Sequence, residues 1–271
     1  MSRFRMLVPS LLAGLAWFPV GAAAQGHHPV ILHVSDRWKE CAIQLDPTLT
    51  QDAWRQFVEE SGLLVYFRPL VGARPMGRGN WELSMLRWQT DIDDTDAAWN
   101  DTFVHPDASH WLHDGGGLAF PGLAARVGVS SRVDLGAYFT RNVQSNYGVA
   151  GAQVQYAFVR DPASPWGAAA RLNVVSLFGP EDVNLATAGL DLVASRRLGV
   201  WRMVAVTPYV GVSSLITAAR ERSDAVALEA EVVPGSQAMA GAVLEIAMVR
   251  IAAEFNNSRV ATRSLKLGVT F

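Results

Sequence analysis

The sequence predicts an all-β fold: a transmembrane, antiparallel, up-and-down β-barrel of about ten strands (eight to twelve at the limits), preceded by a short N-terminal helix. Three observations carry this. From residue 80 onward, apolar and polar side chains alternate in ten successive segments separated by turn residues. The segments are about ten residues long, which suits a tilted strand crossing a bilayer better than the five or six usual in a soluble sandwich. The connections also take two forms. Tight ones fall at 129–134 and around Val249, and long polar ones at 91–116 and 215–235. Short turns on one side and longer loops on the other are a property of such barrels.

Residues 1–24 read as a secretory signal: Arg3 and Arg5, the apolar run "MLVPSLLAGLAWFPV", then "AAA" before Gln25. Cleavage there would leave Gln25-Gly26-His27 at the new N-terminus, a donor set for Cu(II) or Ni(II). Residues 25–79 form an N-terminal segment, assigned to the periplasm, with one helix over about 47–61. Asp46 with Pro47 marks its start, Trp54, Phe57 and Val58 share a face, and Gly62 closes it. The helix is expected to cap or plug the periplasmic mouth. "LLVYFRPL" at 63–70 reads as a short extended stretch and "GARPMGRGN" at 72–80 as a turn or linker.

The barrel then occupies 80–271, with strands near 80–90, 117–129, 132–141, 148–160, 167–178, 185–197, 202–214, 236–247, 249–257 and 260–271. In the third, Val133, Leu135, Ala137 and Phe139 oppose Asp134, Gly136, Tyr138 and Thr140. In the ninth, Ile251, Ala253 and Phe255 oppose Arg250, Ala252 and Glu254. A barrel turns the apolar faces to lipid and keeps the polar ones inside. The candidate lumen residues are therefore Glu82, Arg126, Asp134, Arg171, Asp191, Glu245, Glu254 and Lys266. Ten strands lie near the size at which side chains fill the interior. Salt-bridged packing is the first expectation and a narrow pore the second, with opposite charges as neighbours.

The last strand, "TRSLKLGVTF", alternates to the final residue. In a closed barrel it must pair with the first strand, because an open edge cannot face hydrocarbon. Such a segment, with Leu265, Leu267, Val269 and the terminal Phe271, resembles that of outer-membrane barrel proteins as a class. The resemblance implies recognition of 262–271 by the barrel-assembly machinery. "GGGLAFPGLAARVGVSSRVDLGAYFTRN" at 115–142 resembles transporter barrels of the phenol-degradation meta-pathway type, and 62–271 is similar to uncharacterised outer-membrane barrels of environmental bacteria. What these resemblances imply is residence in the bacterial outer membrane and passage of small, conceivably hydrophobic or aromatic, solutes.

The loop at 91–116 holds seven aspartates and His105, His110 and His113. Imidazole and carboxylate together suit zinc, copper or nickel. His105, Asp107, His110 and His113 are thus the metal candidates, but their spacing matches no zinc signature and a solvated acidic rim is the first expectation for the loop. Omptin proteases also combine ten strands with acidic residues and a histidine at the rim, which casts Asp93, Asp94, His105 and Asp107 as a water-activating set. All four sit in one loop, whereas catalysis needs groups fixed by several elements.

Net charge near −2 argues against nucleic acid, and the lone Cys41 excludes a disulfide framework within one chain. No cofactor motif is present. The expected function is non-enzymatic: passive passage or binding of small solutes by a barrel in contact with the lipid bilayer. The alternative is a structural or adhesive barrel with a filled lumen and an acidic, His-containing extracellular loop.

Overall fold

The structure is a computed structural model and describes residues 42–93, 95–104, 118–141, 145–160 and 164–271. Its elements in chain order are β1 (Ala42–Ile43), α1 (Gln51–Val65), β2 (Trp81–Thr90), α2 (Ala97–Asn100), β3 (Phe103–Val104), β4 (Leu118–Gly128), β5 (Val133–Arg141), β6 (Gly148–Arg160), β7 (Trp166–Phe178), β8 (Val183–Arg196), β9 (Leu198–Trp201), β10 (Val204–Glu221), β11 (Glu231–Ile246), β12 (Val249–Asn257) and β13 (Thr262–Thr270).

Ten of these strands close into an antiparallel barrel in the order β2-β4-β5-β6-β7-β8-β10-β11-β12-β13, and β13 returns to β2. The closing register runs from Thr262↔Thr90 to Thr270↔Glu82. Trp81 and Phe271 then exchange backbone bonds of 3.0 and 2.8 Å beyond the last ladder pair. Their rings stack at 4.2 Å. No strand edge is left at the seam, as hydrocarbon requires. The short β9 lies on the foot of β10. A separate two-stranded piece pairs β1 with β3.

The alternation read from the sequence becomes the two faces of the wall. Leu83, Met85, Leu135, Phe139, Leu190, Leu192, Val210, Val212, Ile251, Leu265 and Leu267 point outward and are exposed. Trp81, Trp166, Trp201 and Phe271 are exposed near the ends of their strands, where a ring girdle meets the membrane interface. The barrel thus has an apolar exterior, and its interior combines charged and amide side chains with a buried apolar cluster that includes Trp88, Phe120, Val175 and Val233.

The turns 129–132 and 247–248, with the connections after β6 and β8, lie at the end where Trp81 and Phe271 meet. In the first, Ser130 Oγ accepts the amides of Arg132 and Val133. The long connection between β2 and β4 lies at the other end. The connection expected at 215–235 is shorter than read, because β10 and β11 stay paired as far as Ala219↔Glu231. Paired strands satisfy their own backbone beyond the membrane as well as within it, so the ladder continues where the hydrophobic pattern fades.

Helix α1 starts later than expected. Asp46 closes a local turn by accepting the Thr48 amide at 2.8 Å, and Thr50 is the N-cap, its Oγ1 accepting from Ala53. Gly62 does not end the helix. It lies within it, against the Thr217 side chain, where no Cβ would fit. The helix packs at the long-loop end, away from Trp81 and Phe271. Trp54 Nε1 donates to the Glu229 carbonyl at 3.1 Å, and Arg259 pairs with Glu60 at 2.9 Å. Trp54, Phe57, Trp99 and Phe103 form a small aromatic core there, and Trp99 Nε1 donates to Glu60 at 2.6 Å.

Candidate functional site: the occupied lumen

The chain that leaves α1 does not run as a surface linker. Residues 66–76 descend through the barrel, from the long-loop end to the foot of β2. Tyr66, Phe67, Arg68, Leu70 and Val71 are buried. Leu70 adopts φ 49°, a left-handed kink that a leucine tolerates only when its surroundings hold it.

The wall holds this segment by hydrogen bonds at every level. Tyr66 Oη donates to Asp191 Oδ1 at 2.8 Å, and Asn173 Nδ2 donates to Asp191 Oδ2 at 2.8 Å and to Tyr66 Oη at 3.0 Å. Arg68 Nε donates to Asn256 Oδ1 at 3.0 Å, and its Nη1 caps the Tyr66 carbonyl at 2.9 Å. Its guanidinium lies 5.8 Å from the Trp88 ring centroid. Lys266 Nζ donates to the Pro69 carbonyl at 3.0 Å. Arg171 donates to the carbonyls of Val71 and Gly72. The Ala73 amide donates to Ser195 Oγ at 2.9 Å, and the Met76 amide to both oxygens of Asp134 at 3.1 Å. These partners come from β5, β7, β8, β12 and β13. Backbone that cannot reach water inside a barrel needs such partners, and the carbonyls of Tyr66, Pro69, Val71 and Gly72 and the amides of Ala73 and Met76 have them. Gly189 makes room for the segment: a Cβ there would stand 2.6 Å from Tyr66 Oη.

All eight candidate lumen residues sit on the inward face; the structure joins Glu82, Lys266 and Glu245 in one network and Arg126 with Asp134 in another, and turns the remaining three to other partners. Lys266 and Arg250 pair with Glu82 at 2.7 and 3.2 Å, and Arg250 and Arg197 reach Glu245 at 3.5 and 3.0 Å. Arg126 pairs with Asp134. Glu254 accepts from Tyr209 Oη at 2.7 Å. Arg171 and Asp191 are register partners, yet each turns to other groups, Arg171 to Gln155 at 2.9 Å and Asp191 to Tyr66. Seven of the eight are buried, and Glu245 is partly open at the short-turn end. Tyr66, Arg68 and Tyr209 were missed from sequence. The signal for Arg68 was present: a lone arginine in an otherwise apolar "LLVYF" run demands a polar enclosure.

The metal candidates His105, Asp107, His110 and His113 lie outside the described residues, as does the Gln25-Gly26-His27 donor set. Of the omptin-like set, only Asp93 is described. It is exposed, and its Oδ1 accepts from Thr95 Oγ1 at 2.7 Å. Among the described residues, no three His, Cys, Asp or Glu side chains are grouped to hold a metal ion.

Fold and polarity together define the class: a transmembrane antiparallel barrel of the kind found in bacterial outer membranes. No protein-family model and no curated protein matches the sequence. Solved structures that resemble it are barrels of low identity. Ail, the attachment invasion locus protein of Yersinia pestis, is 12% identical over 72% of this chain and 99% of its own, with a TM-score of 0.30. The KdgM porin is 7% identical over 70% and 99%, with a TM-score of 0.32. The β-domain of the Bordetella autotransporter BrkA is 12% identical over 72% and 100%, with a TM-score of 0.38.

Proposed function

We propose that this chain is a self-plugged outer-membrane barrel, non-enzymatic, that binds small solutes at its mouths and is closed to passive flow while residues 66–76 occupy the lumen. The observation that carries this is the set of bonds from Asp191, Asn256, Lys266, Arg171, Ser195 and Asp134 to that segment. Passage of solute requires the segment to move. The long-loop end faces outward, so the chain enters the barrel from the cell surface and reaches its first strand on the periplasmic side. Assembly through recognition of Leu265, Leu267, Val269 and Phe271 belongs to the same reading.

The adhesive or structural alternative has its own support. The aromatic core of Trp54, Phe57, Trp99 and Phe103 makes a packed platform over the outer mouth. A liposome-swelling assay separates passage from closure. Vesicles carrying the refolded protein should swell in a small neutral sugar no faster than empty ones. Swelling at an open porin's rate would overturn the closed reading.

A further inference from the structure

At the short-turn end the plug and the wall do not meet completely. A cavity of about 220 Å³ remains between Val71–Pro75 and strands β4, β10, β11 and β12. Four arginines line it, Arg74, Arg126, Arg197 and Arg250, against one acidic residue, Glu245, and the Arg74 guanidinium also donates to the Ser164 carbonyl. Glu82 and Asp134 border the group and are engaged by Lys266, Arg250 and Arg126. Five cationic side chains thus face three carboxylates. Arg126 is buried while Arg197 and Arg250 are partly open to solvent, so the excess positive charge lines a recess that attracts a counter-ion.

A second observation points into the same space. Arg126 is 92% buried, and its Nε has no hydrogen-bond partner among the described residues, although its Nη2 is engaged by Asp134 and the Arg74 carbonyl. An acceptor seated in the cavity would satisfy this buried donor. Arginines converging from different elements suit an oxyanion, which can accept charge-assisted N–H bonds from the donors they leave open.

We propose that this cavity binds a small oxyanion, a carboxylate or phosphate, between Arg74, Arg126, Arg197 and Arg250. This deepens the solute-binding reading by naming the ligand class. The space holds a molecule the size of succinate or phosphate. The site joins plug to wall, since Arg74 belongs to the descending segment and the other three to the barrel. An anion seated there would tie the lower plug in place.

The test is isothermal titration of the refolded protein in detergent with succinate and with inorganic phosphate, using neutral succinamide as control. The expected result is saturable binding of at least one oxyanion and none of succinamide. The doubly substituted Arg74→Gln/Arg197→Gln protein should bind at least tenfold more weakly. These two side chains are partly exposed, so folding should survive, and a heat-dependent gel shift verifies it. Arg220→Gln, at the far end, should bind as the unchanged protein does. Two results would overturn the proposal: no binding by the folded protein, or equal loss in the Arg220→Gln control, which would mean an adventitious ion only. Neither bears on closure, which is read separately by swelling and conductance.

Discussion

Lys266 Nζ lies 3.0 Å from the carbonyl oxygen of Pro69, so the last strand of the barrel holds the segment that fills it. The same ammonium pairs with Glu82 of the first strand at 2.7 Å. One buried cation therefore ties the seam of the barrel to its plug.

Replacing that cation should weaken both. Lys266→Met leaves the Glu82 carboxylate buried with Arg250 alone, and breaking a buried pair costs about 3–5 kcal/mol. The expected outcome is a lower urea midpoint in detergent. Adding Glu82→Gln should return part of the loss, and a double-mutant cycle measures the coupling. Simple additivity of the two changes would show that the pair contributes nothing.

Gly189 offers a way to disturb the plug without touching a charge. Gly189→Val places methyl groups against the Tyr66 ring and hydroxyl. Overpacking of this kind costs about 1–3 kcal/mol. The wall, held by its own ladder, should still form, while the plug is displaced and ion flow increases. A variant that folds and stays as tight as the parent would argue that the plug accommodates the change.

The direction of threading is testable on cells. An epitope inserted at the exposed Thr48 should be stained on intact cells, and one inserted after Ser131 only after permeabilisation. The reverse pattern would invert the barrel in the membrane.

These predictions rest on features of unequal legibility. The ten strands were readable because a wall with lipid on one side and a polar lumen on the other forces strict period-two alternation, and each segment found its place in the ladder. The inward position of Glu82, Arg126 and Lys266 follows from the same parity. The plug was not readable. "YFRPLVGARPM" is neither alternating nor helical, because its side chains meet walls on all sides and no single period describes such an enclosure. The pairing of Asp191 with Tyr66 instead of Arg171 was hidden for the same reason: the competing partner comes from a segment that pattern alone sends elsewhere.

The cap at the long-loop end is expected to carry a pH dependence. Asp182, in the connection between β7 and β8, accepts the Leu45 amide at 3.2 Å. Burial holds its carboxyl above the ordinary range, and the neighbouring Glu181 adds to this. An acid whose pKa is raised by folding favours the folded state fully below its unfolded value, near 4, and loses that contribution as pH rises through the folded value. Asp182→Asn should therefore protect the Leu45 amide from hydrogen exchange more strongly than the parent does at pH 7, with the difference shrinking toward pH 4. Equal protection at both pH values would remove Asp182 as the cause.

Phe271 closes the barrel against Trp81, and an aromatic pair contributes about 0.5–1.5 kcal/mol beyond its burial. Phe271→Ala should lower stability by about that much in detergent. If the terminal segment is also an assembly signal, the folded protein in cells should fall several-fold further than that loss explains. Cellular levels that track stability alone would leave Phe271 a packing residue only.

Whether residues 66–76 close the lumen is decided by single-channel recording of the refolded protein in a planar bilayer. The heat-dependent gel shift first establishes that the barrel has formed. We expect a folded, inserted and electrically silent barrel, with discrete openings appearing in Gly189→Val. Large, stable openings in the unchanged protein would contradict the account, because no ion stream can share the space held by Tyr66, Arg68 and Leu70.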